Sequence, residues 1–223
     1  MTIWCYPDSH KNEMHVKHKA HNGLTFKTIC QDCNSMLGGK YDSHLNDFLN
    51  RIHATLDKPI TLPNPLMVRC RPTPIIKAVM GHLLASKTSF CNSEIDRITR
   101  NYILNDNSVL PSDVHLYYWF YPYDGAIIST DRIVLSGLVD IEQANYQVLK
   151  YYPLAFNLMY GGSRMTDSRF IDLTTWNHDI LDEEVEVPLY FYKVDPLFPE
   201  SDKYNKVSFV LEGRTDIMAN RSK

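Results

Sequence analysis

The chain has 223 residues, 44% of them hydrophobic, enough to bury a core, and its 23 basic and 26 acidic side chains leave a net charge of −3. The charge is uneven: residues 1–104 carry 13 basic and 8 acidic groups, residues 105–223 carry 10 and 18. This excludes a protein that coats nucleic acid with its whole surface, because phosphate affinity comes from clustered Lys and Arg.

Cys5, Cys30, Cys33, Cys70 and Cys91 are odd in number and unevenly spaced, which favours a reducing compartment over a disulfide framework. The stretch MTIWCYPDSHKNEMH has no apolar leader, and no run of 18 apolar residues follows. A soluble, cytoplasmic protein with no membrane partner is expected.

Glu13-Met14-His15-Val16 and Leu24-Thr25-Phe26-Lys27-Thr28-Ile29 alternate around Asn22-Gly23 and predict a hairpin. Asn34 to Leu37 can start a helix that Gly38-Gly39 should end or loosen, with Asp42 or Ser43 as a fresh N-cap. Leu45, Phe48, Leu49, Ile52 and Leu56 then recur at helical spacing to about Asp57. Lys58 to Thr73 holds Pro59, Pro63, Pro65 and Pro72 and is expected to be an extended connector at a module boundary. Pro74 opens a buried helix lined by Ile75, Ile76, Val79, Met80, Leu83 and Leu84, with His82 on its polar side. Ser93 caps another helix, which ends at Asn105-Asp106-Asn107-Ser108.

From Val114 onward the chain turns to short β-branched and aromatic runs: 114–121, 126–130, 133–139, 154–160, 170–174, 188–194 and 207–211. These predict an antiparallel sheet. Bulky residues on both alternating faces of Tyr117-Tyr118-Trp119-Phe120-Tyr121 favour a buried strand over a base-stacking platform.

Cys30-Gln31-Asp32-Cys33 is a CxxC, and two thiolates at that spacing can hold one edge of a tetrahedral Zn²⁺. Cys5 and His10 are the candidates to complete it. A redox pair is the other reading, though the flanking pattern lacks the βαβ setting such pairs favour. His18 and His21 read as a solvated basic face with Lys11, Lys17 and Lys19, and Asn34 reads equally as a turn or cap residue. Arg69 and Arg71 suit either phosphate contact or pairing with the acidic half.

EMHVKHKAHNG followed by LTFKTICQDCNSMLGGKYD resembles the HNH-type (ββα-metal) endonucleases that carry a CxxC zinc motif, over about residues 2–42. The resemblance implies His15 as general base, Asn34 and the nearby Glu13 as ligands of a catalytic Mg²⁺ or similar ion, and a structural zinc on Cys5, His10, Cys30 and Cys33. Apart from the resemblance, the basic residues Lys17, Lys19, Arg69 and Arg71 are the candidate DNA contacts. Thr2 stands where the family's upstream CxxC has its first cysteine, and Met14 where it has an acidic ligand. Losing that carboxylate removes a charged oxygen donor from the metal.

The fold class expected is α+β: an HNH-like ββα module at 1–58, a proline connector and helical segment at 59–110, and a mainly antiparallel β-rich domain at 111–223. Two functions follow from the resemblance. One is a metal-dependent DNA nuclease, in phage or bacterial defence. The other is an inactive HNH-derived binding protein, an inhibitor or accessory factor of a nucleic-acid-processing complex, acting through its acidic, tyrosine-rich half.

Overall fold

In the computed structural model, described residues are 2–5, 15–19, 29–59, 61–87, 92–135, 144–161, 164–177, 183–199, 207–210 and 216–220; at 2–5, 15–19, 131–135, 144–145, 207–210 and 216–220 only the backbone is described. The N-terminal strands β1 (Thr2–Cys5) and β2 (His15–Lys19) pair with each other in antiparallel fashion. β2 starts at His15 and has β1 as its described partner; the other arm of the expected hairpin, residues 24–28, lies outside the described residues.

Cys30 caps helix α1 (Gln31–Leu37), and the chain then stays helical through a π-helical turn, Gly38–Asp42, into α2 (Ser43–Leu56). The glycines loosen the helix without ending it, and Asp42, in helical backbone with no capping bond, is not an N-cap. The wide turn carries Tyr41 into the core, where its hydroxyl donates to Ile103 O at 3.0 Å. Leu45, Phe48, Leu49 and Ile52 form the buried stripe of α2 that their spacing predicts.

The proline-rich segment is not merely an extended connector. Leu66–Cys70 forms β3, whose Leu66, Val68 and Cys70 are buried, and it pairs with β9 (Val185–Leu189) far along the chain. Helix α3 (Pro72–Ala85) follows, with Pro72 as its first residue and with Ile75, Ile76, Val79 and Met80 fully buried. Gly81 is where α3 meets the end of α1: a Cβ there would lie 2.5 Å from Leu37 Cδ2. Helix α4 (Glu94–Leu104) begins with a capping box in which Ser93 and Asp96 satisfy each other's backbone N–H groups.

The second half is antiparallel sheet, as its texture predicts. Its strands are β4 (His115–Phe120), β5 (Gly125–Leu135), β6 (Ala144–Tyr151), β7 (Leu154–Tyr160), β8 (Ile171–Asp172), β10 (Val207–Val210) and β11 (Asp216–Asn220). With β1 and β2 they run in the order β2-β1-β11-β5-β6-β7-β4-β8, β10 lying beside the far end of β5. The two expected runs 126–130 and 133–139 merge into β5, and 170–174 shortens to β8 followed by a 3-10 turn at Leu173–Trp176.

Both faces of β4 are covered, so the aromatic run is buried strand. Leu116 and Tyr118 face the helices, Tyr118 meeting Phe48 edge-on at 5.9 Å. Tyr117, Trp119 and Tyr121 face the other way, against Phe170, Val194 and Phe198. The helix-side core draws on residues from Leu37 to Leu189, so helices and sheet share one apolar interior. Among the described residues, no helix is long and apolar enough to cross a membrane.

Candidate functional site

The CxxC lies at the mouth of α1. Cys30 is the exposed N-cap, its Sγ accepting the Cys33 N–H at 3.2 Å, while Cys33 is half-buried one turn inside. Hydrogen bonding from Cys33 favours the Cys30 thiolate and holds its pKa below the ordinary thiol value. The same bond and partial burial push the Cys33 thiol up. The outer Cys30 thiol is therefore the more acidic of the pair and the inner Cys33 thiol the less acidic. Asn34 is exposed and helical, with its N–H bonded to Cys30 O, so it is neither an N-cap nor a turn residue.

The β1–β2 ladder sets Cys5 directly opposite His15, with Lys17 and Lys19 further along β2 at alternate positions. Glu13 and His10 lie outside the described residues. Among the described residues, no group of three or more His, Cys, Asp and Glu side chains is placed to hold a metal. Of the expected zinc ligands, the described side chains bring together Cys30 and Cys33.

Both arginine readings were open from sequence, and the structure chooses for Arg69. Its Nε donates to Glu186 Oε1 at 3.2 Å across the β3–β9 ladder, and neighbouring Arg51 pairs with Glu184 at 2.8 Å. The basic first half here meets the acidic second half. Arg71 is the backbone N-cap of α3. His82, as expected, is exposed, and lies 3.2 Å from Asp42.

No family model matches the chain, and no curated protein or solved structure does.

Sequence reasoning missed a polar set on the sheet face turned away from the helices. His115 Nδ1 lies 2.8 Å from Asp172 Oδ2, while Asp172 Oδ1 accepts from the backbone and hydroxyl of Thr174. Direct pairing places Tyr117, Asn157, Val148 and Ser129 in one row across four strands, with His115 and Trp119 two residues to either side on β4. Tyr117 accepts the Met165 N–H at 3.1 Å, and burial, helped by the Asp172 charge, pushes its phenol up to about 12. A local sequence signal was absent, since His115 and Asp172 are 57 residues apart.

Proposed function

We propose that the N-terminal segment is the metal-binding centre of an HNH-like, metal-dependent nuclease that acts on DNA. The observation that carries this reading is the order of parts: two antiparallel strands with Cys5 opposite His15, then a helix opened by Cys30, Cys33 and Asn34. A neutral imidazole suits proton abstraction from water near pH 7, which is the role assigned to His15. A divalent ion, when bound, would supply charge stabilisation for the phosphate and a more acidic water.

Fit of the donor set supports zinc more than the second ion. Cys30 and Cys33 are thiols at the right spacing, with the outer one already biased toward the metal-binding thiolate. For a hard cation the described donors include the amide of Asn34, an exposed group at the same helix end. Asn34 and the carboxylate of Glu13 are the assigned ligands.

The test is cleavage of supercoiled plasmid by the purified full chain with Mg²⁺, Mn²⁺ or Ni²⁺, against a His15→Ala form. Metal-dependent nicking lost in the variant supports the reading. Equal cutting by both forms, or none by either at any metal concentration, overturns it. Elemental analysis of protein with and without Cys30→Ser reads the structural zinc separately.

One observation favours a non-catalytic binding protein descended from the same module. Arg51 and Arg69, cations suited to grip phosphate, are engaged by Glu184 and Glu186. Under that reading the protein acts on a nucleic-acid-processing complex as inhibitor or accessory factor, and the plasmid stays intact in every arm of the assay.

A further inference from the structure

The two sulfurs of the CxxC are joined to each other and open to solvent. Cys33 N–H donates to Cys30 Sγ at 3.2 Å, and a side-chain hydrogen bond links the two thiol groups. Asn34 N–H closes on Cys30 O at 3.0 Å, so a formed helical turn already connects the cysteines. One such turn rises about 5.4 Å, inside the Cα span of about 4.4–6.8 Å that a disulfide bridges. Joining the sulfurs requires rotation of two side chains, not movement of the backbone. Leu37, at the far end of α1, is buried in the core and anchors the helix beneath the pair.

Exposure separates the roles of the two thiols. Cys30 and its neighbours Gln31, Asp32 and Asn34 are exposed, whereas Cys33 is half-buried. A reagent arriving from solvent therefore meets Cys30 first. Cys70, the other cysteine whose side chain is described, is buried in β3 and does not compete for it.

We propose that Cys30 and Cys33 are a redox-active dithiol that exchanges with low-molecular-weight disulfides, and that its oxidation removes the two thiolates assigned to zinc. The loss of zinc rests on the metal reading above; the exchange does not. In the first step the Cys30 sulfur, having released its proton to solvent, attacks one sulfur of the reagent. The reagent's S–S bond breaks, one half leaves as thiolate and takes up a proton, and the other half stays bonded to Cys30. Cys33, releasing its own proton, then attacks Cys30 Sγ and expels the second half as thiol. The pair gives up two electrons and two protons, and the reagent gains both. Metal and disulfide are alternatives for the same atoms, because zinc binds only the reduced, deprotonated sulfurs.

The test uses the full chain, stripped of metal by a chelator, incubated with oxidised glutathione, quenched in acid and mapped by mass spectrometry. In the parent the peptide holding both cysteines should lose about 2 Da, the two hydrogens given up, and regain them with dithiothreitol. Cys33→Ser, which keeps the attacking thiol and lacks the one that closes the ring, should stop with glutathione held on Cys30. Cys30→Ser should take up glutathione several-fold more slowly than Cys33→Ser. Serine accepts the same N–H at an N-cap, so the fold survives that change, and a thermal melt matching the parent's checks it. An unchanged parent mass, pairing of either cysteine with Cys5, Cys70 or Cys91 in place of the other, or equal uptake by the two variants overturns the exchange. A last arm adds oxidised glutathione to zinc-loaded protein and follows the metal with a chromogenic chelator. Zinc should appear in step with the disulfide. Disulfide formed while zinc is retained overturns the release, and disulfide in a protein that takes up no zinc overturns the metal reading and leaves the exchange standing.

Discussion

Replacing Gly81 by Ala sets two opposed terms against each other at the α1–α3 contact. In an exposed helix the change would stabilise by about 1 kcal/mol, because glycine is the poorer helix former. Here the new methyl would stand 2.5 Å from Leu37 Cδ2 and 3.1 Å from Cδ1, and Leu37 is itself buried in the core. Forcing an extra methyl into such packing costs about 1–3 kcal/mol, so Gly81→Ala should be destabilising by up to about 2 kcal/mol net. Leu37→Ala alone should cost about 2–3 kcal/mol, near the low end for core leucines because the site borders solvent. When both changes are made, the methyl added at position 81 occupies space vacated by the Leu37 side chain, and the helix-forming advantage of alanine over glycine returns. The double variant should then be at least about 1 kcal/mol more stable than the sum of the singles predicts, read as midpoints of urea unfolding at constant m-value. Additivity within about 0.5 kcal/mol would refute the close approach of Gly81 to Leu37.

Lys87 and Asp96 are a buried ion pair between the end of α3 and the start of α4, and Asp96 also accepts from the Ser93 hydroxyl and N–H. Burial raises the Asp96 pKa, but the hydrogen bonds from Lys87 and Ser93 outweigh it and hold the carboxyl below 3.8. Its stabilisation is thus fully present above the unfolded value and disappears as pH falls through the folded one; Asp96→Asn should flatten that acid limb in pH-dependent thermal scans. Lys87→Met, which strands the carboxylate, should cost about 3–5 kcal/mol. Lys77 behaves oppositely: burial depresses its pKa from 10.5 despite nearby Asp106, while its ammonium donates to Asn105 O and sits over Tyr102. The unfolded chain binds that proton more tightly, so parent stability rises with pH between the folded value and 10.5, and Lys77→Met should lose this rise in denaturation at alkaline pH. In zinc-free protein, iodoacetamide should label Cys30 before Cys33 and spare Cys70, whose thiol burial pushes up to about 12. Mass mapping that finds Cys70 labelled first would contradict the placement of β3. Arg69→Ala, removing an exposed pair, should change stability by no more than about 1 kcal/mol.

The chain alone determined what depends on neighbours in sequence. The buried stripe of α2, the existence of α3 around Pro74 (though it begins two residues earlier, at Pro72), the Ser93 cap of α4 and the strand texture of β4 and β7 arise from spacing of side chains a few residues apart. The π-helical turn at Gly38–Asp42 was only half legible, since two glycines show weakness in a helix but not whether packing will hold it together. Here the buried Tyr41 and its bond to Ile103 are part of what holds it.

Tertiary structure decided whatever joins distant residues. Strand β6 was missed because Gln147 and Lys150 look solvent-seeking, and the carbonyls of Pro196 and Phe198 that help hold the buried lysine come from far along the chain. The pairing of β3 with β9, the pairing of β1 with β11, and the choice of Glu186 for Arg69 are long-range events that no local period encodes. For the candidate sites the division is the same. Cys30 and Cys33 were visible because metal-ligand spacing is written along the chain, whereas His115 and Asp172 meet only because sheet pairing brings β8 alongside β4.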